Sequence, residues 1–248
     1  MITIDNLWKS FGSQEVLRGV SLEVKKGEFV ALVGMSGSGK SLLLKHLVRL
    51  TEPDRGRVLV ENSDLALISR HELQSLRSRI GYLFQNGALF DSMTVYENVA
   101  FPLREKTRLP AAVIRQKAMA QLELVGLKNA TDKYPAQISG GMAKRAALAR
   151  TLVQEPEVIL FDEPTTGLDP IVSKSMLQLF DRIHKQLNLT GIIVTHEITG
   201  VFKIVEKVAM LYQGKIIANE SPAQMQNSSD PVIRQFLTGD TEGPIQYR

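Results

Sequence analysis

The sequence predicts an α/β protein with an antiparallel β layer near its start and an inserted helical subdomain. Residues 20–24 alternate apolar and polar side chains, which is typical of a half-buried antiparallel strand. Continuous apolar runs at Phe29–Val33 and Val158–Phe161 indicate strands of a buried parallel sheet. Between those runs the stretch 86–157 is almost entirely helical in pattern. Strand and helix signals in this order favour an α/β core carrying a helical insertion.

The first elements follow from hydrophobic periodicity. Leu7 and the pair 16–17 are expected in strands that neighbour 20–24. Phe29–Val33 then enters a glycine-rich turn, followed by a helical stretch at 42–50. A buried strand that turns directly into a helix is the usual start of a parallel α/β sheet.

The boundaries of the later strands and helices can also be predicted. Further buried strands are predicted at Ile80–Phe84, Gly191–Val194 and Val208–Tyr212. Capping boxes stand at Ser69-x-x-Glu72 and Thr94-x-x-Glu97, and Pro follows Leu109, Asp169, Ser221 and Asp230 at predicted first helical positions. We therefore predict one unit over 1–248: an α/β core at 1–85 and 158–237, a helical subdomain at 86–157, and a polar tail at 238–248.

Composition excludes several classes of protein. The 248 residues are 44% hydrophobic and 23% charged, as in an ordinary globular protein. Thirty basic against 26 acidic residues give a net charge of +4, a small excess that does not indicate a nucleic-acid partner. The absence of Cys excludes disulfides, thiolate-bound metals and Cys nucleophiles.

The lengths of the apolar runs also indicate where in the cell the chain is located. They are far shorter than the roughly 18 residues that a membrane-spanning helix requires. The first eleven residues lack a basic stretch followed by an apolar one, so no secretory signal is predicted. We expect a cytoplasmic chain.

A phosphate-binding loop follows the first buried strand. Gly34–Ser41 matches the pattern G-x-x-x-x-G-K-[ST] between a predicted strand and a predicted helix. In such a loop the backbone N–H groups and the helix N-terminus surround an anion. The predicted nucleotide contacts are Gly34, Ser36, Gly37, Ser38 and Gly39 along the loop, Lys40 at the outer phosphates and Ser41 at Mg²⁺.

Two carboxylates end the strand at Val158–Phe161. Asp162 and Glu163 are expected at the carboxyl edge of the sheet, where α/β proteins bind ligands. Asp162 is predicted to hold Mg²⁺ through water, and Glu163 to polarise the water that attacks the γ-phosphate. Without the phosphate loop, an acidic turn before Pro164 explains the pair equally well.

Gln85 and His196 each follow a buried run and are expected near the same edge as Asp162. A lone Gln or His at a strand end is more often a cap or a satisfied polar group. Only their coincidence favours a role at the site.

A second glycine-rich helix start lies at Ser139-Gly140-Gly141, before a strongly helical stretch at 143–153. It is suited to an anion, since helix N-termini carry partial positive charge. One phosphate loop already serves one nucleotide, so this start suggests contact with a nucleotide held by another copy in a head-to-tail dimer. A simple N-cap turn is the alternative.

Taken in order, these motifs resemble the ATP-binding cassette (ABC) family over nearly the whole chain. The resemblance implies a P-loop NTPase (RecA-like) core that binds and hydrolyses ATP with Mg²⁺ as a homodimer enclosing ATP. It identifies the site residues as follows: Gly34–Ser41 as the Walker A loop, Phe11 as the aromatic residue on adenine, Gln85 as the Q-loop glutamine at the metal, Ser139–Met142 as the signature loop, Asp162 as the Walker B aspartate, Glu163 as the catalytic carboxylate, Asp169 as the D-loop aspartate and His196 as the switch histidine.

Finer likeness indicates a branch of the family. The pair Gly87-Ala88, the stretch Phe101–Glu105, and Met142 in place of the usual Gln look like the ATPases of MCE-type lipid transporters. The resemblance implies a subunit on the cytoplasmic face of the inner membrane, beneath a permease that moves phospholipid between membranes with a periplasmic MCE protein. It leaves open an accessory STAS-domain subunit.

Two other functions remain open at this point. One is the ATPase of an importer for a small polar solute. The other is a soluble ABC ATPase of DNA repair or translation, which is disfavoured by the single cassette, the lack of a long heptad insertion and the lack of Cys. The identity of the partner permease would distinguish the two transport functions, but this sequence contains no part of a permease.

Overall fold

A computed structural model describes residues 1–246 of the chain. In chain order its elements are β1 (Ile2–Phe11), β2 (Gln14–Val24), β3 (Phe29–Val33), α1 (Lys40–Leu47), β4 (Arg55–Val60), β5 (Ser63–Asp64), α2 (Arg70–Ser78), β6 (Ile80–Leu83), α3 (Val95–Lys106), α4 (Ala111–Leu124), α5 (Gly140–Leu152), β7 (Val158–Asp162), α6 (Pro170–Leu187), β8 (Thr190–Val194), α7 (Ile198–Val201), β9 (Lys207–Tyr212), β10 (Lys215–Glu220), α8 (Pro222–Gln226) and α9 (Pro231–Thr238). Two short 3-10 turns, Lys128–Ala130 and Pro135–Gln137, precede α5.

The chain forms two compact units. The first comprises Met1–Leu73 and the described chain from Thr190 onward, and the second comprises Gln74–Leu189. None of the helices within residues 1–246 is long and apolar enough to cross a membrane. Each unit has a hydrophobic core and its own set of predicted site residues.

An antiparallel sheet with the strand order β2-β1-β4-β5 forms one layer of the first unit. Its buried face includes Leu7, Leu17 and Val20, none of which is exposed to solvent. The residues 16–17 lie in β2 together with 20–24, so their expected placement in a neighbouring strand is wrong. One long strand forms because the β1 and β2 registers shift at several bulges and the ladder continues past them.

Parallel strands form the other layer of this unit. β3 pairs with β8 on one side and β9 on the other, and all five residues of β3 are buried. α1 begins at Lys40, two residues earlier than predicted, because the glycine-rich turn runs directly into the helix. It ends at Leu47 rather than at 50, and Arg49 just beyond it has a left-handed φ of 51°.

The second unit contains the parallel pair β6 and β7, with Leu83 beside Phe161. Parallel strands end at the same edge, so Gln85 and Asp162 follow neighbouring strand ends. α6 buries Met176, Phe180 and other residues at helical spacing, and the Phe161 and Phe180 rings lie 4.6 Å apart. The helices α3, α4 and α5 occupy the stretch that the sequence predicts to be helical.

Most predicted caps are present. Thr94 and Glu97 form a complete capping box at α3, and Asp169 caps α6 with Pro170 at its first position. Pro110 differs, because it occupies the N-cap position and α4 begins one residue later.

The tail after α9 is held by one side chain. Gln235, which is 5% exposed, accepts a hydrogen bond of 2.7 Å from the Ile245 backbone N–H and donates to the Ile245 carbonyl over 3.2 Å. Ile245 is buried as a result. Residues 239–246 contain no helix or strand, and residues 247–248 of the predicted tail lie outside the described residues.

Candidate active site

The phosphate loop has the backbone that its glycines predict. Gly34, Gly37 and Gly39 have φ values of 146°, 74° and 100°. A Cβ on Gly34 would stand 2.2 Å from the Leu211 carbonyl oxygen, so no other residue fits there. The loop ends at the N-terminus of α1, where the helix dipole favours an anion.

Lys40 lies under this loop with 4% of its surface exposed. Its ammonium donates hydrogen bonds to the carbonyl oxygens of Gly34 and Met35, over 2.9 Å and 2.7 Å. The Ser38 hydroxyl is buried without a hydrogen-bond partner among the described residues. A positive charge and an unsatisfied donor at one loop fit the oxygens of a phosphate.

Phe11 and His196 also belong to the first unit. Phe11 is 55% exposed, which removes the alternative of a core residue and leaves its ring accessible for stacking. The Lys9 ammonium lies 5.5 Å from the ring centroid. His196 is exposed and directly follows the buried Thr195 at the carboxyl end of β8, as predicted from the sequence.

Asp162 is the buried carboxylate of the second unit, with 7% of its surface exposed. The Tyr82 hydroxyl donates a hydrogen bond of 2.9 Å to Asp162 Oδ2. Burial, followed by the negative charge of Asp162, raises the pKa of Tyr82 well above its usual value. Tyr82 therefore stays protonated, and its hydroxyl donates the hydrogen bond that holds the Asp162 carboxylate in place.

Glu163 is paired with Gln85. Gln85 Nε2 donates to Glu163 Oε2 over 3.0 Å, and the Thr166 hydroxyl donates to the same oxygen over 3.3 Å. Glu163 has a left-handed φ of 49°, which for a residue with a side chain stores about 1–3 kcal/mol of strain. Strained carboxylates of this kind cluster at active sites, which agrees with the predicted role.

The signature loop lies at the start of α5. The Ser139 hydroxyl caps the helix by accepting a hydrogen bond of 3.3 Å from the Met142 N–H, and both Ser139 and Gly140 are exposed. Gly141 is buried, and a Cβ there would meet Val172 Cγ1 at 2.7 Å. Asp169, expected at a dimer interface, uses Oδ1 to cap α6 through the N–H groups of Ile171 and Val172.

Each unit thus contains its own group of the predicted site residues. The phosphate loop, Phe11 and His196 lie in the first, and Gln85, Asp162, Glu163 and the signature loop lie in the second. Sequence reasoning missed four polar contacts near Gln85 and the two acids, made by Tyr82, Lys144, Arg150 and Thr166. Lys144 and Arg150 gave a usable signal, because both lie within two residues of the buried run 146–149 of α5, where cations are unusual.

Each unit contains oxygen donors of the kind that Mg²⁺ prefers. Ser41 offers a hydroxyl in the first unit, and Asp162 and Gln85 offer a carboxylate and an amide oxygen in the second. In an ATPase such a metal neutralises charge on the phosphate oxygens.

Sequence comparison matches residues 17–166 to the ABC transporter family. The intermembrane phospholipid transport system ATP-binding protein MlaF of Haemophilus influenzae is 41% identical over 248 residues, which are all of this chain and 94% of that protein. A protein of Mycobacterium leprae named as a probable ribonucleotide transport ATP-binding protein is 43% identical over 98% of this chain and 70% of its own.

Solved structures agree. A dimeric ATP-binding cassette in a post-hydrolysis state with ADP and phosphate matches with a TM-score of 0.81 and 32% identity, covering 90% of this chain and 99% of that one. The protein cbiO1 of Clostridium perfringens, part of an ABC transporter complex, matches with a TM-score of 0.84 and 32% identity over 94% of this chain and 93% of its own. These matches confirm the predicted P-loop NTPase fold. The chain belongs to the ABC transporter family, as an ATP-hydrolysing cassette.

Proposed function

We propose that this chain is the ATPase subunit of a transporter that moves phospholipid between the inner and outer membranes. The observation that carries the proposal is the likeness to the phospholipid transport protein MlaF, which spans this whole chain and 94% of that protein. A cassette that binds ATP without a membrane-spanning helix among its described residues needs a permease to act on lipid. The proposed site of work is the cytoplasmic face of the inner membrane.

In this proposal the phosphate loop binds ATP. The backbone N–H groups of 34–39 and the Lys40 ammonium hold the phosphates, Phe11 stacks on adenine, and His196 contacts the γ-phosphate. The exposed Phe11 ring and the buried Lys40 ammonium support these roles. Ser41, Asp162 and Gln85 would hold Mg²⁺, which supplies charge neutralisation when bound.

Glu163 is the proposed base. It accepts a proton from the attacking water, a role for which a carboxylate must be within hydrogen-bond reach of that water. The hydrogen bonds from Gln85 and Thr166 fix one of its oxygens in place. The Gln85 amide, held by the same contact, orients the water relative to Glu163.

A second copy completes each site in the proposal. Ser139 and Gly140 are exposed at the N-terminus of α5 and would contact the nucleotide held by the partner. Dimeric solved structures of related cassettes support this arrangement. Asp169, two residues before the exposed Ile171, would lie at the interface.

The permease would dock on residues 86–92, next to Gln85. The ring of Phe90 in this stretch is 42% exposed, and the ring of Phe84, just before Gln85, is 41% exposed. Apolar rings at a surface are typical of protein contacts. A periplasmic MCE lipid-binding protein, reached through the permease, and a STAS-domain accessory subunit complete the proposed assembly.

Ribonucleotide transport is the second candidate. It is favoured by the mycobacterial relatives named as probable ribonucleotide transport proteins, at 43% identity. Those proteins are longer, since this chain covers 68–70% of them. The fuller match to MlaF makes phospholipid the preferred cargo.

The test is to tag the chain in its native cell, extract membranes with mild detergent, and identify the proteins and lipids that co-purify by mass spectrometry. A polytopic permease with an MCE protein and bound phospholipid is the expected result. A permease with a soluble solute-binding protein would favour import of a polar solute. Recovery only from the soluble fraction would overturn the transport proposal and leave the ATPase chemistry intact.

A further inference from the structure

The signature helix α5 contacts the segment that follows Gln85 along one stripe of its surface. The stripe consists of Lys144, Ala147 and Arg150, which are spaced three residues apart and therefore neighbour one another on the helix. Gly87 crosses the middle of the stripe, where an added Cβ would lie 3.1 Å from Ala147 Cβ. The segment 85–88 thus lies directly against the helix.

Lys144 holds the first end of this segment. It is 8% exposed, and its ammonium donates a hydrogen bond to the Gln85 carbonyl oxygen. Burial lowers its pKa, and the negative charge of Glu163 acts in the opposite direction. A buried ammonium is costly without compensation, so the bond to Gln85 is a specific use of this side chain.

Arg150 holds the other end. Its guanidinium donates to the carbonyl oxygens of Gly87 and Ala88, over 2.6 Å and 2.8 Å, and lies 5.8 Å from the Phe90 ring. Gly87 and Ala88 have left-handed φ values of 71° and 49°. Two successive left-handed residues turn both carbonyls toward one cation, and the strain at Ala88 is offset by these bonds.

The contacts form a continuous path. Ser139 and Lys144 are five residues apart, about 7.5 Å along the helix. From Lys144 the path runs through the Gln85 backbone to the Gln85 amide, which donates to Glu163. A displacement of α5 therefore reaches the predicted base through one side chain.

We propose that Lys144 and Arg150 are positioning residues that make the signature helix and the segment 85–88 move as one piece. Nucleotide bound at Ser139–Gly141 then sets the position of Gln85 and of the proposed permease surface at 86–92. The inference rests on the proposed function insofar as nucleotide contacts the signature loop.

The test is hydrogen exchange of the full chain with and without ATP and Mg²⁺, in a Glu163→Gln background that slows hydrolysis. In that background ATP should slow exchange at both 139–145 and 85–92. Adding Lys144→Met, which keeps the stem and removes the ammonium, should leave protection at 139–145 and abolish most of it at 85–92. Lys144→Arg should restore both, and Lys174→Met, an exposed lysine of α6, should change neither.

Any other pattern of hydrogen-exchange protection contradicts the inference. Protection of 85–92 that survives Lys144→Met shows that the ammonium does not couple the two segments. Loss of protection at both segments shows a role in nucleotide binding or folding instead. If ATP protects neither segment in the Glu163→Gln chain, the proposed dimer itself fails, which separates the two failures.

Discussion

The Gln85 side-chain amide donates a hydrogen bond of 3.0 Å to Glu163 Oε2, and the backbone of the same Gln85 accepts one from Lys144. One residue thus connects the predicted base with the helix that begins at the signature loop. Its two contacts use different atoms, so each can be removed separately.

Glu163→Gln should bind ATP normally and lose about 10²- to 10⁴-fold in turnover, because the amide cannot accept the proton of the attacking water. Its oxygen can still accept the hydrogen bond from Gln85, so the local structure should persist. Steady-state ATP hydrolysis and nucleotide titration measure the two effects. Glu105→Gln, at an exposed position of α3, is the control and should retain full turnover. Unchanged turnover in Glu163→Gln would show that another group is the base.

Lys40→Ala should weaken ATP binding itself. A hydrogen bond to a charged group contributes about 1.5–3 kcal/mol, so the Kd should rise by roughly one to two orders of magnitude. Isothermal titration with ATP gives the Kd directly. Lys45→Ala removes an exposed lysine from the same helix and should leave the Kd unchanged. Normal affinity in Lys40→Ala would argue against the phosphate loop as the nucleotide site.

Gly34→Ala should destabilise the first unit more than Gly239→Ala does. Both positions have a left-handed φ, which costs a residue with a side chain roughly 1–2 kcal/mol. At Gly34 the new Cβ would also meet a backbone oxygen at 2.2 Å, whereas at Gly239 it meets nothing within 4 Å. Thermal unfolding of the two variants isolates the contribution of the clash. Equal Tm values would show that the loop moves away from Leu211.

Much of the fold follows from local sequence signals. The buried strand Phe29–Val33, the glycine loop after it and the capping box at Thr94 each depend on residues within a few positions of one another. The start of α4 differs from the prediction, because Pro110 is its N-cap rather than its first helical residue. Pro satisfies both positions, because its missing N–H and fixed φ suit either.

The contacts around the acids could not be predicted, because they depend on pairing between distant segments. Tyr82 reaches Asp162 only because β6 and β7 pair in parallel register, and Lys144 reaches Gln85 only because α5 packs against the chain after β6. Neither partner is within 50 residues in sequence. A sequence motif made of neighbouring residues therefore predicts which acids are functional, but it does not predict which distant side chains contact them.

Thr94→Ala should lower the stability of the helical unit by about 1 kcal/mol, because it removes an N-cap side chain from α3. Hydrogen bonds from the Thr94 backbone N–H and then from its side chain lower the pKa of Glu97, so the stabilisation by that carboxylate is present above its unfolded pKa and is lost as the pH falls through the lowered value. The variant keeps the backbone N–H and loses the side-chain contribution, so denaturant unfolding should show a modestly larger difference between wild type and variant at neutral than at acid pH. Ser92→Ala is the control. A difference that does not depend on pH would contradict the coupling.

Ile171→Asp should prevent ATP-dependent dimerisation without changing ATP binding. Ile171 is 82% exposed although it is large and apolar, and it lies two residues after Asp169, which is predicted at the dimer interface. A carboxylate buried at an interface without a partner is strongly unfavourable. Light scattering of the Glu163→Gln chain with ATP measures the dimer. Leu67→Asp replaces an equally exposed apolar residue, at 84%, and should dimerise normally. A dimer that still forms with Ile171→Asp would place the interface elsewhere on the chain, whereas loss of ATP binding would show that the substitution acts through folding.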